Sequence, residues 1–326
     1  MLSNFSYIRT RTLNDAVKHA SSERAVVHAG GTDLLGCLRD NVFEADKVVS
    51  IGKIDQLNGI RKLSDGSIRI GALTTITEIA ESPLLKQNLT GLAQGASEVA
   101  SPQLRNQGTI GGNICQKPRC WYYRGEFYCL RKGGDHCFAV GSENKFHCIF
   151  GGSSCFIVHP SDTAPNLLAA KAQVKITGPN GSRTMPIDNF WVPPVQDPQR
   201  ETVLEPGEIV TDILLRKPPE NMKSSYRKIR ARRSWDFALV SVALALTFEG
   251  DKVADGSRVV FGGVAPIPWR SREVEKVIIG KTLNPEIIEK ASEAAIRGAQ
   301  PMTQNEYKVP LLKAAVFEEL ANISGA

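Results

Sequence analysis

An α+β protein of more than one domain is what this sequence predicts, on three observations. The first two thirds alternates strand-like and helix-like stretches around glycine-rich loops. A stretch rich in proline and charge, 193–219, then interrupts the pattern. Beyond it come strand-like runs followed by amphipathic helical ones, the order expected of a small antiparallel sheet covered by helices. At 326 residues the chain is too long for one small core, and 42% hydrophobic content suits an ordered globular protein. We place the domain boundary at about residue 220, dividing the chain into 1–220 and 221–326.

The elements follow in order. Residues 13–22 are helix-compatible, and the strand-like 24–28 run directly into Ala29-Gly30-Gly31-Thr32-Asp33-Leu34-Leu35, a strand ending in a tight, glycine-permitted loop. A strand at 47–51 precedes 59–62 and 67–72, which flank the Asp65-Gly66 turn signal as a β-hairpin. Residues 75–81 and 84–100 read as helices, and 107–113 form a second glycine loop. The next forty or so residues have little periodicity; a loop that long needs a function or an internal staple. An apolar helix, 164–172, follows. The last third offers strands at 226–229, 239–248 and 257–262, then helices at 272–279, 285–298 and 309–323.

Composition excludes several classes. A net charge of +6 suits an anionic ligand, but no basic stripe interleaves with aromatics, so a nucleic-acid partner is not expected. No apolar stretch reaches the length of a membrane span, and the amino terminus lacks a signal peptide's apolar core. The chain itself therefore reads as cytoplasmic, without membrane insertion. Neither a Ser-His-Asp nor a Cys-His order presents itself, nor a zincin histidine pair, so hydrolysis is not indicated. Of seven cysteines, six crowd between Cys115 and Cys155, with Cys37 apart. A disulfide framework would spread its staples more widely, which favours metal ligation.

Each motif has a functional and a plainer reading. Successive glycine amides at Gly30 and Gly31 can point at one anion, such as a pyrophosphate; a strand-to-helix turn would use the same residues. The spacing is not G-x-G-x-x-G, so a Rossmann nicotinamide site is unsupported. Thr109-Ile110-Gly111-Gly112-Asn113 adds a hydroxyl and an amide suited to a phosphate and a ribityl chain. Asp162 suits ligand hydroxyls or caps the helix that follows. Lys228, Arg230, Arg232 and Arg233 form a basic patch: a solvated strand face, or a reach by Lys228 toward a cofactor's phosphate or ring. Cys120, Cys129, Cys137 and Cys155 are spaced C-x8-C-x7-C-x17-C, too wide for paired zinc knuckles, although Cys115 with Cys120 keeps zinc open. His136 and His147 leave mixed ligation open. The combination suggests a metal or iron–sulfur centre beside a dinucleotide-type cofactor.

The residues that carry these readings resemble the FAD-binding middle subunits of the xanthine dehydrogenase or molybdenum hydroxylase family. The likeness runs through VVHAGGTDLL, TIGGN, HPSDTAP, EPGEIV, YRKIRARRSWDFALVSVALAL and FGGVAPIPWR, in family order. The cysteine segment, about 115–155, resembles the subset with an extra [4Fe-4S] cluster, notably the periplasmic aldehyde oxidoreductase and 4-hydroxybenzoyl-CoA reductase.

The resemblance implies an FAD-binding PCMH-type domain of two lobes, then a CO dehydrogenase flavoprotein-like carboxy-terminal domain. It implies FAD on Val27, His28, Ala29, Gly30, Gly31, Thr32, Asp33 and Leu34, with Thr109, Gly111, Gly112, Asn113 and Asp162 completing the shell and Val210 and Lys228 near the flavin ring. For the cluster it selects Cys120, Cys129, Cys137 and Cys155, leaving Cys115 and Cys148 as bystanders.

The implied role is relay within a heterotrimer or its dimer, most simply one that oxidises aldehydes. A large molybdopterin-binding subunit holds the molybdenum cofactor, a small subunit holds [2Fe-2S] clusters, and this chain's FAD collects electrons, with the [4Fe-4S] cluster as a port to an external electron carrier. An aryl-CoA reductase or N-heterocycle hydroxylase is the alternative within the family; a zinc-stabilised anion-binding protein is the alternative outside it. A signal-bearing partner would carry the folded subunit to the periplasm.

Overall fold

In the computed structural model, which describes Leu2 and residues 4–325, three sheets succeed one another along the chain. The first is built from β1 (Ser6–Arg9), α1 (Leu13–Ala20), β2 (Ala25–His28), α2 (Leu34–Arg39) and β3 (Lys47–Ser50). Its strands run parallel in the order β1-β3-β2. The crossovers that parallel pairing requires are α1 and α2. Thr12 caps α1, whose Ala16, Val17 and Ala20 bury a single face against Val49 and Ile51.

The second lobe opens with the hairpin β4 (Ile60–Lys62) and β5 (Ile68–Gly71), in the register set by the Asp65-Gly66 turn. Five short helices follow: α3 (Ile76–Glu81), α4 (Pro83–Asn88), α5 (Thr90–Ser97), α6 (Pro102–Arg105) and α7 (Ile110–Ile114). The predicted single helix over 84–100 is broken at Leu89, whose φ of −147° leaves the helical region. The break re-aims α5 so that Gly91 and Gly95 lie backbone-close to Ser225 and Asn166, where a side chain would collide. The second glycine loop is likewise half helix, because Thr109 caps α7.

After an irregular segment containing only α8 (Trp121–Arg124) and a 3-10 turn come α9 (Thr163–Ala169), β6 (Gln173–Gly178), β7 (Gly181–Pro186) and β8 (Ile209–Leu215). Together these complete a sheet ordered β4-β5-β8-β6-β7. The proline-rich 193–219 therefore contains a central strand, β8, six of whose seven residues are buried. Its apolar run is too short and too closely flanked by prolines and charges to stand out in the sequence.

The third unit carries β9 (Met222–Ile229), β10 (Val240–Glu249), β11 (Lys252–Val253), β12 (Arg258–Gly262) and β13 (Trp269–Arg270), then α10 (Arg272–Ile278), α11 (Pro285–Ala294) and α12 (Lys308–Ser324). Strand β10 pairs antiparallel with β9, β11 and β12. Alternation along β10 explains how the units join. Val240, Val242, Leu244 and Leu246 enter the core beneath α10–α12, whereas Ala243 and Ala245 face the second lobe and merge with its core through Tyr226 and Val260. Small residues on that face let the two layers approach closely. Among the described residues, no helix is long and apolar enough to cross a membrane.

Candidate functional site

The first glycine loop leaves the carboxyl end of β2, the end of a parallel strand where ligand crevices form. It lies directly on the second loop: a Cβ on Gly30 would run into the Gln107 carbonyl. Gly31 has a φ of +73°, and a Cβ there would sit 2.6 Å from His28 Nε2. On the other side, Thr109 Oγ1 accepts the Gly112 N–H at 3.2 Å, and Gly111 packs against Ala72 with no room for a side chain.

Between the loops opens a cleft of about 800 Å³, ample for a large cofactor. Its walls include Val27, Ala29, Gly30, Gly31, Thr32, Asp33 and Leu34 from the first loop. Thr109, Gly111, Gly112 and Asn113 come from the second, with Asp162 and Val210. The chain thus brings two backbone-lined cradles, free of Cβ atoms, to one crevice, an arrangement that fits a pyrophosphate.

His28 and Lys228 stand outside those walls. His28 lies beneath Gly31, edge-on to Tyr7, with burial lowering its pKa. Lys228 has a side chain 0% exposed and donates to Asp162 Oδ2 at 2.8 Å and to the Glu98 carbonyl at 2.9 Å. Lys228 thus bonds to Asp162, whose side chain is among those at the cleft. Asp162 Oδ1 accepts a second bond, from Tyr226 Oη at 2.7 Å. Burial pushes this carboxyl up and the Lys228 ammonium acts against it. Asp162 precedes α9 without capping it; Ser161 Oγ takes the Ala164 N–H instead, at 3.0 Å. Of the arginines, Arg230 pairs with Glu98, and Arg232 lines the cleft beside the exposed Trp235.

Cys120, Cys129, Cys137 and Cys155 line one small, largely apolar cavity, together with Tyr122, Tyr123, Arg131 and His147. Cys115 and Cys148 do not. Cys115 follows α7 and lines the large cleft, while Cys148 is buried and bonds through its backbone to Phe156. Burial pushes both thiols up to about 12. Cys37 is wholly buried in α2, packed with Val42, Tyr123 and Cys129. A hydrogen bond from the Cys155 thiol lowers Cys137, and Cys155 is itself raised.

Among the described residues, no group of three or more His, Cys, Asp or Glu side chains is arranged to hold a single metal ion. Cys120, Cys129, Cys137 and Cys155 nevertheless line one cavity, and thiolates are the donor type that iron–sulfur clusters take. His136 is exposed and bonds to Asp135. His147 is 3% exposed, and burial lowers it to about 4.

Ion pairs the sequence did not disclose weld this segment to the lobes. Asp33 accepts from the Lys117 backbone N–H and from Arg124, both at 2.7 Å, and from Arg119 at 3.1 Å, tying the first glycine loop to the cysteine segment. Arg131, nearly fully buried, donates to Glu201 at 2.7 Å and to the carbonyls of Pro198 and Arg200. Burial raises Glu201, but Lys117 and Arg131 together hold it below the usual carboxylate range.

Residues 3–217 match a family described as the FAD binding domain in molybdopterin dehydrogenase, and residues 224–323 match the CO dehydrogenase flavoprotein C-terminal domain. The chain is 31% identical over 322 residues to the aldehyde oxidoreductase FAD-binding subunit PaoB of Escherichia coli K12, covering 97% of each. It is 26% identical to the carbon monoxide dehydrogenase medium chain of Hydrogenophaga pseudoflava, covering 91% of this chain and 88% of that one. A solved carbon monoxide dehydrogenase from the same organism, lacking the Mo-pyranopterin moiety, superposes with a TM-score of 0.78 at 25% identity, over 100% of this chain and 98% of that one. The α+β fold is shared with that structure.

Proposed function

This chain belongs to the FAD-binding subunits of the molybdenum hydroxylase family, and from that membership we propose that it is an FAD and [4Fe-4S] relay subunit of a heterotrimeric aldehyde oxidoreductase. That it is a subunit of an oxidoreductase follows from its relatives. The observation that carries the relay reading is the gathering of Cys120, Cys129, Cys137 and Cys155 around one cavity, with Asp33 and its arginines joining that cavity's segment to the flavin cleft.

The aldehyde substrate is supported by the likeness to the aldehyde oxidoreductase subunit. A large molybdenum-binding partner and a small iron–sulfur partner are supported by relatives that are themselves medium subunits. Bound FAD and a cluster supply the electron-carrying chemistry. The chain's own residues supply position: the two glycine loops receive the pyrophosphate, Asn113 and Asp162 the hydroxyl-bearing portion, and Val210 the ring. In this reading residues 1–220 form the flavin domain and 221–326 the domain that closes over it.

The test is an EPR and optical spectrum of anaerobically purified protein, with iron and FAD quantified. One FAD and about four irons per chain are expected. Cys129→Ser should lower iron to well under half while FAD stays. Flavin without iron, or with zinc, would sink the relay.

A further inference from the structure

His147 makes one contact no cofactor shell assigns to it. Its Nε2 lies 3.3 Å from Cys120 Sγ. A ligating thiolate has no proton to give, so in the loaded protein the shared proton sits on Nε2 and the imidazole is the donor.

The ring is not free to turn away. Trp121 meets it edge-on at 5.6 Å and Tyr122 lies 6.2 Å off, both on α8, the helix that Cys120 opens. Its backbone is fixed from the other end of the chain. Four consecutive carbonyls, 145–148, accept bonds from the segment leading into α12: Tyr307 Oη takes Lys145, Lys308 Nζ takes Phe146 at 3.1 Å, and Asn305 Nδ2 takes both His147 and Cys148. These bonds hold the His147 backbone, and with it the ring, in one place.

We propose that His147 is a positioning residue that donates an N–H···S hydrogen bond to the Cys120 ligand and thereby raises the reduction potential of the [4Fe-4S] cluster. The inference rests on the cluster reading above. Its physical basis is that reduction adds negative charge to the iron and sulfur atoms, and a donor aimed at one sulfur stabilises that charge; hydrogen bonds to sulfurs are among the factors that set such potentials.

The test is EPR-monitored redox titration of the full-length chain, with iron quantified, for wild type, His147→Phe and His147→Gln. His147→Phe should keep its iron and shift the one-electron equilibrium about tenfold toward the oxidised cluster, about 59 mV more negative. His147→Gln, which retains an N–H, should recover part of that shift, and the flavin midpoint should stay put. His147→Leu serves in place of the Phe variant if that one does not fold. An unchanged cluster midpoint with iron retained overturns the inference and leaves the relay standing. Loss of iron from every folded His147 variant, with wild type fully loaded, makes the residue a ligand and overturns it too. A wild-type chain with flavin and no iron overturns the cluster reading, and this inference falls with it.

Discussion

Asp162 stands at the cleft with Lys228 bonded to one carboxyl oxygen and Tyr226 to the other. Both partners come from β9, more than sixty residues later in the chain. Lys228→Met would strand a buried carboxyl, and removing one partner of such a pair costs about 3–5 kcal/mol. Urea denaturation should show a loss of that order, and Asp162→Asn added to Lys228→Met should recover part of it. If the single variant unfolds like wild type, the pair is not coupled. Sequence left Asp162 open between a ligand contact and a helix cap, and Lys228 open between a solvated strand face and a reach toward a cofactor; it did not disclose that the two side chains bond each other. That bond joins residues 66 positions apart, which no spacing rule resolves.

At the scale of elements, the two glycine loops work as a unit because their backbones touch. Gly30→Ala drives a Cβ into the Gln107 carbonyl and must push the loops apart. FAD content of the purified variant should fall at least tenfold, with far-ultraviolet circular dichroism close to wild type; full flavin would contradict the shared-cradle arrangement.

These loops, the β4–β5 hairpin and the helices α10 to α12 were legible in the sequence because each is written in contiguous residues: a glycine pair, a turn dipeptide, an apolar stripe. What was hidden is non-local. The pairing of Asp33 with Arg119 and Arg124, and of Arg131 with Glu201, spans about seventy to ninety residues and leaves no periodic trace. The split of the predicted helix at Leu89 was hidden too, since it answers to a close approach by β9.

For the whole molecule, the cysteine segment is a bracket held on one side by the first glycine loop and on the other by the chain's end. Lys308 lies on the second side, 1% exposed, with its ammonium bonded to the carbonyls of Phe146 and Gly263. Burial lowers it from 10.5 to about 7. Between those values the unfolded chain holds a proton that the folded chain lacks, so stability rises with pH from about 7 toward 10.5, by up to about 1.4 kcal/mol per unit. Below about 7 both states carry the proton and this contribution to the slope vanishes. Lys308→Met should flatten the pH dependence of the denaturation midpoint across that window; a slope equal to wild type would refute the assignment.

The mooring of carbonyls 145–148 also changes how a genetic lesion would read. A nonsense codon at position 303 spares every cysteine and both glycine loops, yet along with α12 it deletes Asn305, Tyr307 and Lys308, the side chains that hold that stretch of backbone. Such an allele would be scored as a defect of the last helix and the core it covers, while a second injury would fall about 160 residues upstream, in the segment that carries the cysteines.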